Sequence, residues 1–114
     1  ELFISGLSIK PSSGPRGTVY TISFQFHNAK ENAKHLPLLF QVREGRELSR
    51  IQIHDDGMNG DVLKDDGIFT GVSSVPATAS FGDHLFTIYI RDEDGRVSNT
   101  LNYSFNVIRD VTFL

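Results

Sequence analysis

Between Thr18 and His27 the chain alternates without a break, with Tyr20, Ile22, Phe24 and Phe26 set against Thr21, Ser23 and Gln25. A side-chain period of two belongs to an extended strand with one buried face. It excludes a helix, whose apolar positions recur every three or four residues. The same period returns near the end of the sequence, where Leu101, Tyr103, Phe105 and Val107 share one face of a segment running from Val97 to Ile108. It returns again over His84–Arg91, where Phe86, Ile88 and Ile90 alternate with Thr87, Tyr89 and Arg91.

Turn chemistry separates these runs. Leu2 to Ile9 reads as a first strand, closed by Pro11-Ser12-Ser13-Gly14-Pro15-Arg16-Gly17. Asn28 to His35 is polar and suits a loop or a single helical turn. Leu38, Phe40 and Val42 mark a third strand through Arg43. A turn at Glu44-Gly45-Arg46-Glu47 then leads to Leu48–His54, with Ile51 and Ile53 inward. Ile68 to Val75 is a further strand stopped by Pro76, and Asp92-Glu93-Asp94-Gly95 is a turn with glycine where positive φ is needed. About seven strands with short connections predict an all-β fold, an antiparallel β-sandwich of immunoglobulin-like or fibronectin III-like type. One domain spans residues 1–110, with 111–114 a tail or the start of a linker.

Composition narrows the function classes. The net charge of −3 and the scattered Lys and Arg leave no basic stripe for phosphates, so nucleic acid is not an expected partner. With no cysteine there is no disulfide, thiolate nucleophile or cysteine zinc site, and the Cys…Trp…Cys arrangement of antibody domains is excluded. No apolar run of about 18 residues exists, and membrane insertion is not expected. A start at Glu1, without Met or a leader-like segment, reads as a fragment of a larger protein whose neighbouring domains are its first partners.

One loop stands apart. From His54 to Gly67 it holds five of the fourteen acidic residues and one lysine, so it carries −4 while the rest of the chain sums to +1. Asp55, Asp56, Asn59, Asp61, Asp65 and Asp66 offer oxygens to a hard cation such as calcium, and Gly57, Gly60 and Gly67 let backbone wrap around one. Against the EF-hand template, Asn59, Gly60 and Asp66 fall at the fifth, sixth and twelfth places. Gly57, however, takes a ligand place, and Asp66 replaces the bidentate Glu, so an EF-hand is excluded. Successive Asp-Gly pairs at 56–57 and 66–67 also explain the composition as two tight turns, with Asp side chains capping their own backbone. The turn is the more economical reading, and the six oxygen donors are the candidate calcium ligands.

The stretch from Asp55-Asp56-Gly57 through Asp66-Gly67-Ile68-Phe69-Thr70 resembles a DDGxxGDxxxxDGx(F/Y)T pattern. That pattern is found in Ig-like or fibronectin III-like repeats of large secreted and surface-anchored bacterial or archaeal proteins. Gly82, His84 and Phe86, followed by Asp92, Gly95 and Ser98 in a D-x-x-G-x-x-S turn, are similar to the penultimate hairpin of such repeats. The resemblance implies a non-catalytic spacer, presentation or adhesion module in a secreted, cell-surface or periplasmic setting, with a protein or glycan as ligand. The alternative is an accessory, substrate- or carbohydrate-binding domain of a larger extracellular enzyme.

Other constellations are thinner. His27, His35, His54 and His84 form no HxH or HExxH arrangement. His54 is expected to face solvent, and His84 to be partly buried beside Phe86. Gly71-Val72-Ser73-Ser74-Val75 lacks the second glycine of a nucleophile elbow. Asp61 and Asp65, on an exposed loop, lack the burial that makes a carboxyl a general acid. Asn102-Tyr103-Ser104 is a glycosylation sequon expected to stay unmodified. Tyr89 is the main outward aromatic for a carbohydrate.

Overall fold

The structure, a computed structural model, describes residues 2–27, 37–54 and 67–109. Among these residues eight strands form two sheets: β1 (Phe3–Lys10), β2 (Ser13–Gly14), β3 (Val19–His27), β4 (Leu38–Arg43), β5 (Arg46–Gln52), β6 (Ile68–Ser74), β7 (Gly82–Arg91) and β8 (Leu101–Val107). One sheet has the order β1-β3-β6 and the other β2-β8-β7-β4-β5, so the fold is the expected β-sandwich. The pairings among the described strands are antiparallel except the short β2–β8 contact. β5 pairs with β4 and not with β6, which departs from the ABED/CFG division of constant-type immunoglobulin domains.

The clean alternation of β3 is realised directly. Tyr20, Ile22, Phe24 and Phe26 are buried, and they meet Ile88, Ile90, Tyr103, Phe105 and Val107 from the facing sheet. Each side chain so enclosed contributes roughly 1.5–3 kcal/mol of transfer free energy. Aromatic contacts lock the layer, with the rings of Tyr20 and Phe105 4.8 Å apart and those of Phe26 and Phe69 5.4 Å apart.

One reading needs correction, and the facing of one strand that alternation leaves open is decided. Ser13–Gly14, inside the stretch read as a turn, is a strand rung. Asn106 N donates to Ser12 O and Ile108 N to Gly14 O, both at 3.1 Å, so the N-terminal segment leaves the first sheet after Lys10 and joins the second. In β4 the apolar set Leu38, Phe40 and Val42 lies on the outer face, and the interior receives Leu39 and Gln41 instead. Phe40 is nonetheless only 1% exposed. The Tyr89 ring stacks on it at 5.3 Å, and Arg91 and Arg50 lie over its ring at 4.3 and 5.5 Å. These cover it from the solvent side.

Two irregularities shape the edges. Glu44 and Gly45 connect β4 to β5 with φ of 51° and 76°, the pair of left-handed residues that a type I′ hairpin requires. Just beyond, Gln41 pairs with Ser49 while Val42 pairs with Glu47, which leaves Leu48 as an extra, bulged residue. Strand direction puts the start of β1, the end of β3 and the Asp92–Asn99 connection at one end of the sandwich. The end of β8 lies at the other.

Candidate functional site

Asp55, Asp56, Asn59, Asp61, Asp65 and Asp66 lie outside the described residues, as do His35 and the 28–36 segment. The two ends of the acidic loop are described. His54 forms an isolated antiparallel bridge with Thr70, through His54 N to Thr70 O at 2.9 Å and Thr70 N to His54 O at 3.0 Å. Gly67, at φ 81°, accepts Phe26 N at 3.0 Å through its carbonyl. Thr70 is 2% exposed, and its hydroxyl has no hydrogen-bond partner among the described residues. Among those residues no group of three or more His, Cys, Asp or Glu could hold a metal ion.

The D-x-x-G-x-x-S segment is a self-contained turn. Asp92 Oδ1 accepts Asp94 N at 3.1 Å and Arg96 N at 2.9 Å, and its Oδ2 accepts Arg96 Nε at 2.8 Å. Burial alone would raise this carboxyl. It is outweighed by the Arg96 backbone N–H, the Arg96 guanidinium and the Asp94 N–H, which together hold it below the usual carboxylate range. Gly95 takes the left-handed position at φ 85°. Ser98 Oγ accepts Ile90 N at 3.0 Å and donates to Asn99 O at 2.7 Å. Asn99 then presents its amide to β1, accepting Ile4 N at 2.8 Å and donating to Ile4 O at 2.9 Å. The motif is structural: it fixes the residue that ties the second sheet to the first strand.

At the opposite end, between the β5 and β6 edges, lies a cleft of about 660 Å³, within the range of ligand pockets. Leu48, Val75, Pro76, Phe86, Phe105 and Val107 supply apolar wall, and Tyr20 and Gln41 reach its floor. Gln41 Nε2 donates to Tyr20 Oη at 2.7 Å and, by a shorter contact, to Tyr103 Oη. Gln41 Oε1 accepts Ser49 Oγ at 2.8 Å. Burial pushes the Tyr103 phenol well above its ordinary range, and the neighbouring Tyr20 hydroxyl adds to the shift, so the Tyr103 ring serves as a neutral hydroxyl. His84 is 5% exposed and bonds Ser80 O through Nε2 at 2.7 Å, in keeping with the burial expected beside Phe86.

The outer face of the five-stranded sheet is the second candidate surface. Tyr89 does point outward, but one of its ring faces is taken by Phe40. Asn102, of the sequon, accepts Thr87 Oγ1 at 2.8 Å on the same face. The composite of Phe40, Tyr89, Arg50 and Arg91, and the buried Gln41 network, both escape a reading by alternation. The signal for each is in the run Leu38-Leu39-Phe40-Gln41, where three successive apolar residues leave the inward face undetermined.

No family model matches the sequence, and no curated protein matches it. Ten chains among solved structures match. One is a crystal structure of a mutant of the SrpA adhesin from Streptococcus sanguinis, 14% identical, with a TM-score of 0.50 over 96% of this chain and 59% of that one. At this identity the likeness concerns the fold, and the chain spans less than two thirds of its neighbour's length.

Proposed function

We propose that this chain is a non-catalytic immunoglobulin-like module of a secreted or cell-surface protein, acting in adhesion or in presentation of neighbouring domains. The observation that carries the reading is the sandwich itself, shared over 96% of the chain with a structure described as an adhesin. The resemblance of the 55–70 segment to surface-protein repeats agrees with it. So does the strand polarity, with β1 starting at one end and β8 finishing at the other, which suits a unit set between neighbours in an extended array. The described ionisable groups also suit a scaffold: Asp92 is committed to its own turn and His84 to Ser80 O.

The test is retention without turnover. Beads coated with the chain are passed over immobilised polysaccharides and matrix proteins, with release of reducing sugar or new amines measured in parallel. Saturable retention with no product is expected, and hydrolysis of any offered polymer would overturn the reading. Calcium at the acidic loop is part of the same proposal. Melting in millimolar calcium is expected to exceed melting in chelator, and superimposable curves would reduce the loop to twin Asp-Gly turns.

A second reading, an accessory carbohydrate-binding domain of an extracellular enzyme, is favoured by the outward Tyr89 ring. Polysaccharide retention that disappears in Tyr89→Ala, while an equally folded Tyr89→Phe retains it, would favour this reading.

A further inference from the structure

We propose that the cleft between β5 and β6 receives an extended peptide segment of a partner protein, which adds to the edge of β6 that faces away from β3 and places a carboxylate at Arg43. The argument starts from which backbone groups are paired. Just past the end of β6, Val75 N donates to Thr18 O and Gly17 N to Val75 O, so Val75, and with it Ser73 and Gly71, turn their backbone groups toward β3. Thr70 turns the other way, to His54. By the alternation of an antiparallel ladder, Val72 and Ser74 also face away from β3. Nothing among the described residues pairs with their N–H and C=O groups. Among the described residues the ladder that His54 begins therefore stops after one rung, with two further rungs in register that no described residue fills.

An edge left open in this way is normally blunted by charge, proline or a bulge. β5 is protected by Arg46, Glu47 and Arg50. Gly71-Val72-Ser73-Ser74 carries no charge and no proline, and Val72 is 41% exposed. Small side chains also create the space beside it. Gly71 admits Ile51, whose Cγ2 lies 2.8 Å from where a Cβ would sit, and below that contact Ser73, Ala79 and Ser80 leave the sheets apart. The bulged Leu48, 52% exposed, stands at the opposite wall. A strand laid along β6 would send alternate side chains into this space, the mode of recognition in which backbone bonds give affinity and pockets give selectivity.

Charge and hydrogen bonding narrow the occupant. Among the described residues no Asp or Glu lines the cleft, and Arg43, which does, has no ion-pair partner among them. At the floor both Gln41 N–H groups are taken by the two phenols, and the phenols, 3.4 Å apart, share one proton between them. One phenolic O–H is left over, and turning the amide over only moves the surplus donor to Nε2. The cleft thus offers a cation, a spare donor and apolar wall to a peptide with small or apolar alternate residues and a carboxylate.

The test pans a displayed random dodecapeptide library on the intact chain and follows the selected peptides by amide hydrogen exchange and titration. In the free chain, fast exchange is expected at Val72 and Ser74 and protection at Gly71 and Ser73. Bound peptide should protect Val72 and Ser74. Val72→Pro removes an outward N–H that β3 does not use, and should weaken binding about tenfold or more. Arg43→Glu should select against acidic peptides while leaving the fold intact, which keeps the test valid if the proline variant fails to fold. Val72 and Ser74 already protected in dilute free chain, peptides indifferent to both substitutions, an empty selection, or protection arising only with concentration as the chain dimerises would each overturn the proposal.

Discussion

The two lateral seams of this sandwich face the same physical problem, joining two sheets that share no continuous ladder, and they answer it differently. On one side the N-terminal segment crosses over. β1 belongs to the three-stranded sheet and β2 to the five-stranded one, and Asn99 bonds both backbone groups of Ile4 across the gap. On the other side, among the described residues, the sheets meet where Ile51 enters the space above Gly71 and His54 bridges Thr70, and the seam opens below into the cleft. A seam closed by covalent crossover and an amide clamp is fixed. A seam closed, among the described residues, by one bridge and a methyl group leaves the outward groups of Val72 and Ser74 without a described partner beside a cavity.

The largest effect should come from breaking the closed seam. Asn99→Ala strands Ile4 N–H and C=O, and is expected to cost about 2–3 kcal/mol in chemical denaturation, with early exchange of β1 amides. Loss within experimental error of zero would mean that β1 is held by β3 alone and that the two seams are alike. Next is the floor of the open seam. Gln41→Ala removes three hydrogen bonds, but its phenol partners can turn to water entering the cleft, so roughly 1–2 kcal/mol is expected. A loss exceeding that of Asn99→Ala would invert the comparison.

Acid should act on the closed seam selectively. The Asp92 carboxyl is held below its unfolded value, so its contribution is fully present above the ordinary carboxylate pKa of about 3.9 and is lost as pH falls through the lower folded value. In a pH series of melting curves, wild type should lose stability over that acid window relative to Asp92→Asn. The variant, lacking the charge, should be weaker at neutral pH and flatter in acid. Parallel curves would remove Asp92 from the account of the turn. The smallest effect, of opposite sign, is expected at Thr70→Val. Replacing a buried hydroxyl that has no described partner should be neutral or stabilise by up to about 1 kcal/mol. Clear destabilisation would show that this hydroxyl is engaged.

Where alternation is pure, as in β3 and β8, the strand, its face and its core residues are legible in the sequence itself. In β4 three consecutive apolar residues defeat it. The period of two cannot say which face of Leu38-Leu39-Phe40 is inward when Arg50, Arg91 and Tyr89 can bury an outward ring as fully as a core does. The same ambiguity hides Gln41, and with it the polar floor of the cleft. β2 is hidden for a different reason: two residues among prolines and serines carry no period, and only the distant Asn106 and Val107 define them as a strand. The Asp92–Ser98 motif is visible as a turn, but its role in positioning Asn99 against Ile4 depends on a contact 95 residues apart in sequence. The acidic loop is the most visible candidate site, and its six oxygen donors lie outside the described residues.

The parallel contact between β2 and β8 also has a mechanical meaning. Both strands run toward the same end, so tension drawing β1 away from one end of the module and β8 from the other slides β2 against β8 along their length. The bonds from Asn106 N to Ser12 O and Ile108 N to Gly14 O then bear the load together, as do the two at Ile4 and Asn99, instead of parting one after another. Under shear of this kind the seam fastened by the crossover is the one that resists extension, while the cleft on the far side is spared the load.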